Sequence, residues 1–156
     1  MGINDTTLQE QSLLFANLAS LAYGNEKDVR KSAKKFGFTN VLFFDHGGAQ
    51  AYRFENKTDI VVACRGTQPT EFNDIKADLK ALPVMAETVS RVHHGFKVEV
   101  DELWPYVSAN LLEKKTDFRD LWFCGHSLGA AMATIMASRC MHESELMDPI
   151  SLFTFG

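Results

Sequence analysis

Apolar positions near the amino terminus recur at helical spacing. Leu14, Leu18 and Leu21, joined by Phe15 and Ala22, share one face of a run from Leu8 to Tyr23, and Gly24 supplies a stop. Asn25 to Lys35 is charged and predicts a second, exposed helix ending near Gly37. The pattern then shortens. Val41 to Phe44 is a short apolar strand, Asp45-His46-Gly47-Gly48 a turn, and Ala51 to Glu55 alternates as a half-exposed strand does. Asn56 to Asp59 is another turn, and Ile60 to Cys64 is apolar throughout, as a buried strand is. This first part predicts an antiparallel meander joined by tight turns.

Beyond it, helix and strand alternate. Phe96, Val100, Leu103, Val107 and Leu111 give Gly95 to Lys114 a period near 3.6, with Pro105 predicting a kink or restart. Phe118 to Cys124 reads as a strand, Leu128 to Met141 as a helix and Ile150 to Phe155 as a strand, together a parallel βαβ unit. The fold class is therefore α/β: a central, mostly parallel sheet with antiparallel N-terminal strands and flanking helices. Leu152 to Gly156 is an apolar, aromatic strand pattern at the very end, and it predicts that the sequence is a fragment.

Composition narrows the function. The chain has 156 residues, enough for one domain with a core, and its net charge of −4 gives no basic footprint for nucleic acid. No run approaches the ~18 apolar residues of a membrane span, so stable membrane insertion is not expected. The N-terminus lacks a basic start followed by an apolar stretch, which leaves a cytoplasmic location or export without a recognisable signal peptide. Met1-Gly2 with Thr6 fits a loose acylation pattern, short enough to be coincidence. Cys64, Cys124 and Cys140 lie in apolar surroundings and read as buried free thiols. No Cys/His cluster has metal-ligand spacing and no Gly-rich loop would cradle phosphates, so no metal or cofactor is expected.

The chemistry concentrates at Gly125-His126-Ser127-Leu128-Gly129, a G-x-S-x-G run between a buried strand and a helix rich in small residues. Strand, sharp turn with a central serine, and helix make a nucleophile elbow, which holds the serine hydroxyl above the sheet end. A hydroxyl so presented can attack a carbonyl, and it then needs a base and a pocket for the developing oxyanion. One donor to that pocket is the backbone N–H of Leu128. The best candidate for the other is Thr67, in the Arg65-Gly66-Thr67 turn after the strand Ile60–Cys64.

These residues resemble those of the class 3, fungal-type lipases of the α/β-hydrolase superfamily. Four blocks match in the family's order: Cys64-Arg65-Gly66-Thr67, Lys76-Ala77-Asp78-Leu79, Val92-His93-His94-Gly95-Phe96 and Gly125 to Gly129. The resemblance covers about Ala16 to Gly156. It implies a single, partial α/β-hydrolase domain over residues 1–156, truncated at its C-terminus. It implies Ser127 as catalytic nucleophile, Thr67 and Leu128 as oxyanion-hole residues, and structural roles for His93 and His126. The segment from about Pro69 to Leu82 would correspond to the lid of the secreted lipases. On its own it reads as an amphipathic helix, with Thr70 able to cap it and Phe72, Ile75, Leu79 and Leu82 forming an apolar edge.

Elbow hydrolases order their triad Ser, Asp, His. After Ser127 the chain offers only Asp148 and His142. His142 lies at the far end of the elbow helix and Asp148 at the wrong end of the last strand. The triad Asp and His are therefore expected to be missing from this chain. The reading is a serine carboxylic ester hydrolase of lipid esters, triacylglycerol lipase or phospholipase-like, with transient contact at a lipid surface. The alternative is a non-catalytic lipase-like domain that binds lipid or a protein partner.

Overall fold

The computed structural model describes residues 2–66, 83–85, 91–115 and 118–156, with the backbone alone for 83–85 and 91–96. Helix α1 (Leu8–Leu21) opens with a capping box. The Glu10 N–H donates to Thr7 Oγ1 at 3.3 Å, and the Thr7 N–H donates to the Glu10 carboxylate at 2.8 Å. Helix α2 (Glu26–Ala33) begins at Asn25, whose side chain accepts from the Asp28 N–H, and its end runs through a short turn to Gly37 at φ 84°. The expected exposed helix is half right: Val29 and Ala33 are buried and pin it to the core.

Strands β1 (Asn40–His46), β2 (Ala49–Glu55) and β3 (Asp59–Cys64) form the antiparallel meander. Gly47 and Gly48 both take positive φ in the two-residue loop between β1 and β2, the geometry of a tight hairpin turn. Two further strands, β4 (Pro83–Met85) and β5 (Arg91–His93), pair with each other in a separate small sheet. Helix α3 (His94–Lys114) follows. It runs through Pro105 without the expected restart. Strand β6 (Asp120–His126) lies parallel to β3, helix α4 (Leu128–His142) crosses over, and β7 (Pro149–Phe155) lies parallel to β6. The sheet order is β1-β2-β3-β6-β7.

Both faces of this sheet are covered, and side chains alternate between them along each strand. Ile60, Val62, Cys64, Leu121 and Phe123 pack with Val100, Leu103, Met132 and Met136 of α3 and α4. Val61, Ala63, Trp122 and Cys124 pack on the other face with Phe15, Leu18 and Ala22 of the N-terminal region. This double cover corrects the half-exposed reading of β2, where Tyr52, Arg53, Phe54 and Glu55 are all buried. The strand predicted from Phe118 starts at Asp120 instead. Phe118 is fully exposed with φ 52°. The apolar β7 lies at the sheet edge with Leu152, Phe153 and Phe155 only partly covered.

Candidate active site

Ser127 occupies the single residue between the end of β6 and the start of α4, with φ 54° and ψ −125°. A bulky L-residue avoids positive φ, so the surrounding structure must hold it there. It does so from both sides. The Ser127 N–H donates to the Phe155 carbonyl at 2.9 Å, and the Ser127 carbonyl accepts from the Ala130 N–H at 2.9 Å. The side chain makes no capping hydrogen bond to the helix it precedes. The first amide groups of α4 have no intrahelical acceptor, and the helix dipole makes that end favourable to negative charge.

The glycines around Ser127 are required by contact. A Cβ on Gly125 would lie 2.7 Å from the Ala130 nitrogen and overlap the Gly129 carbonyl group. One on Gly129 would meet the Gly66 nitrogen at 2.8 Å and the Cys64 carbonyl carbon at 2.9 Å. One on Gly66 would meet the His126 carbonyl oxygen at 2.6 Å. These glycines let the end of β3, the end of β6 and the start of α4 meet backbone to backbone.

Thr67 itself, the 69–82 segment and the Lys76–Leu79 block lie outside the described residues. The His93 backbone ends β5, and its side chain is likewise outside them. Leu128 is buried at the first position of α4, and His126, on the other side of Ser127 in sequence, is half-buried.

A residue that the hydrophobic pattern gave no reason to single out completes the arrangement. The Tyr23 hydroxyl, just past α1, lies 2.9 Å from His126 Nδ1 and 3.4 Å from the His126 carbonyl oxygen. Burial pushes the Tyr23 phenol above its ordinary value, against the opposing effects of Arg65 and the Gly66 amide. In sequence Tyr23 is only the last aromatic of an amphipathic run. Its partner lies 103 residues away, and no local signal marks such a pair.

The residues after Ser127 do not bring a base to it. His142 is exposed at the far end of α4 and its Nδ1 lies 2.8 Å from the Ser138 carbonyl. Fourteen residues of rise put it about 20 Å from the elbow. Asp148 precedes β7, at the edge of the sheet opposite the elbow. Nor do the thiols compete as nucleophiles. Burial pushes Cys64 and Cys140 up to about 12, and Cys124, beside the motif, well above its ordinary value. Among the described residues no group of three His, Cys, Asp or Glu converges as a metal site requires, and no helix is long and apolar enough to cross a membrane.

The family model Lipase (class 3) matches residues 44–156. No curated protein sequence matches the chain. Among solved structures, the chain is similar to Rhizomucor miehei triacylglyceride lipase, with TM-score 0.72 and 22% identity over 96% of this chain and 62% of that one. It is similar to the lipase of Rhizopus microsporus var. chinensis, with TM-score 0.74 and 18% identity over 96% of this chain and 57% of that one. A third similar structure is a triacylglycerol lipase whose catalytic centre is a serine protease triad, with TM-score 0.68 and 21% identity over 96% of this chain and 62% of that one. The chain thus spans between 57% and 62% of the length of these lipases. The mixed sheet and its flanking helices are a partial α/β-hydrolase fold.

Proposed function

This chain belongs to the class 3 lipase family, and we propose that it carries the nucleophile and oxyanion donors of a serine hydrolase that cleaves lipid esters. The observation that carries this reading is the backbone of Ser127, at φ 54° and ψ −125° between β6 and α4, with its hydroxyl not spent on capping. Ser127 would attack the ester carbonyl. The Leu128 amide, with Thr67 opposite, would receive the oxyanion.

The base and its carboxylate would come from a part of the protein other than residues 128–156, where His142 and Asp148 are turned away from the serine. Support comes from the similar triacylglycerol lipase with a serine protease triad. The apolar positions Phe72, Ile75, Leu79 and Leu82 favour contact with a lipid surface during turnover.

The test is hydrolysis of emulsified triacylglycerol and of p-nitrophenyl esters by the intact protein and by Ser127→Ala. The proposal requires activity in the first and its loss in the second. Lipid binding by both proteins without hydrolysis by either would establish the non-catalytic reading instead.

A further inference from the structure

The Tyr23 hydroxyl sits where three backbone segments meet, and it belongs to none of them. Its ring is planted by α1, where the Tyr23 N–H donates to the Ser20 carbonyl at 3.2 Å. The ring stands edge-on to His126, with centroids 5.9 Å apart and an interplanar angle of 66°. A Cβ on Gly66 would overlap the Tyr23 hydroxyl oxygen, so that oxygen lies directly on the Gly66 backbone. On its other side is His126, the residue immediately before Ser127.

A phenol has one proton to give. His126 Nδ1 at 2.9 Å is the better acceptor by distance than the His126 carbonyl at 3.4 Å. With that proton given to Nδ1, neutral His126 carries its own on Nε2. The Tyr23 hydroxyl thus packs on the Gly66 backbone and hydrogen-bonds His126 Nδ1. It ties the end of β3 to the elbow through one oxygen.

We propose that Tyr23 is a positioning residue for the reaction at Ser127: its hydroxyl fixes Gly66, just past β3, against the elbow, and thereby the placement of Ser127 and of the Leu128 amide. This rests on the reading of Ser127 as nucleophile. The elbow backbone is strained, and a strained turn persists only when its neighbours over-determine it. Tyr23 does not touch the reacting atoms. Its loss should leave substrate binding intact and misplace groups whose value depends on position.

The test uses Tyr23→Phe, His126→Gln and the double variant in the intact enzyme, with a p-nitrophenyl ester. Tyr23→Phe should lower kcat about tenfold to a hundredfold with KM unchanged, as expected for a small displacement of catalytic groups. The double variant should be no slower than the slower single variant, because both remove one linkage. In parallel, ¹⁵N NMR of the 156-residue chain should show neutral His126 protonated on Nε2, and a tautomer mixture in Tyr23→Phe. An unchanged kcat in Tyr23→Phe, losses that multiply in the double variant, or His126 protonated on Nδ1 in the wild type would each overturn the proposal. If Ser127→Ala keeps its activity, the nucleophile assignment fails, and the tautomer measurement still reports separately on the Tyr23–His126 link.

Discussion

Gly129 and Gly66 face each other with no room for a side chain on either. A Cβ on Gly129 would lie 2.8 Å from the Gly66 nitrogen, and one on Gly66 would lie 3.2 Å from the Gly129 nitrogen. Backbone, unlike a flexible side-chain end, cannot yield cheaply. Gly129→Ala should therefore cost about 1–3 kcal/mol, the usual range for overpacking a filled interior. Gly48→Ala is the comparison: its added Cβ meets nothing within 4 Å and bears only the penalty of φ 86°, about 1 kcal/mol. Urea unfolding midpoints measure both. A Gly129→Ala chain as stable as the wild type would show that the two segments are not in contact.

The unbroken apolar runs of β3 and β6 and the G-x-S-x-G motif made the sheet and elbow legible in sequence, because both depend on local composition and turn chemistry. The failures have a common cause in tertiary context. Ala51 to Glu55 looked half-exposed because Arg53 and Glu55 are charged, yet the two neutralise each other inside the molecule, with Arg53 Nη2 2.6 Å from Glu55 Oε2. Phe118 looked like strand because it is apolar, but its φ of 52° breaks the strand before Asp120. The Tyr23–His126 contact joins residues 103 positions apart, which no window along the chain can sense.

The charge network at the opposite end of the sheet predicts acid sensitivity. Glu55 accepts from Arg119, pairs with Arg53 and lies 3.4 Å from Lys114 Nζ. Burial alone would raise its carboxyl, but the Arg119 hydrogen bond and the charges of Arg53, Arg119 and Lys114 outweigh that and hold it below its ordinary value. A carboxyl lower in the folded than in the unfolded state stabilises fully above the unfolded value, and the benefit fades as pH falls through the folded one. Glu55→Gln should cost about 3–5 kcal/mol near neutrality, since it leaves buried cations uncompensated. The gap to wild type should narrow as pH drops below about 4. Urea unfolding at a series of pH values tests this, and a gap that stays constant into acid would contradict it.

Asp59 is almost wholly buried, and its carboxylate accepts from Trp122 Nε1 at 2.9 Å, from Thr58 Oγ1 at 2.5 Å and from the Ile3 N–H at 3.2 Å. It thus fastens the N-terminal turn to the underside of the sheet. Asp59→Ala should cost about 1–3 kcal/mol by leaving the indole N–H buried without a partner. Amide exchange at Ile3 should accelerate along with it. Unaltered exchange at Ile3 would mean that something else holds the turn.

The three thiols predict a simple labelling pattern. Cys64, Cys124 and Cys140 are buried and their ionisation is suppressed by that burial. A disulfide exchange reagent at pH 8 should leave all three unmodified in the native chain and modify all three in denaturant. Rapid labelling of Cys140 without denaturant would show that α4 does not stay packed against β3 and β6.

The central claim is that Ser127 is the nucleophile of a lipid ester hydrolase. An alkyl fluorophosphonate reacts covalently with an activated serine and spares ordinary ones. Applied to the intact protein and followed by peptide mass spectrometry, it should leave one adduct, on the peptide that carries Ser127, and none in Ser127→Ala. An adduct on any other residue, or undiminished ester hydrolysis in Ser127→Ala, would contradict the account.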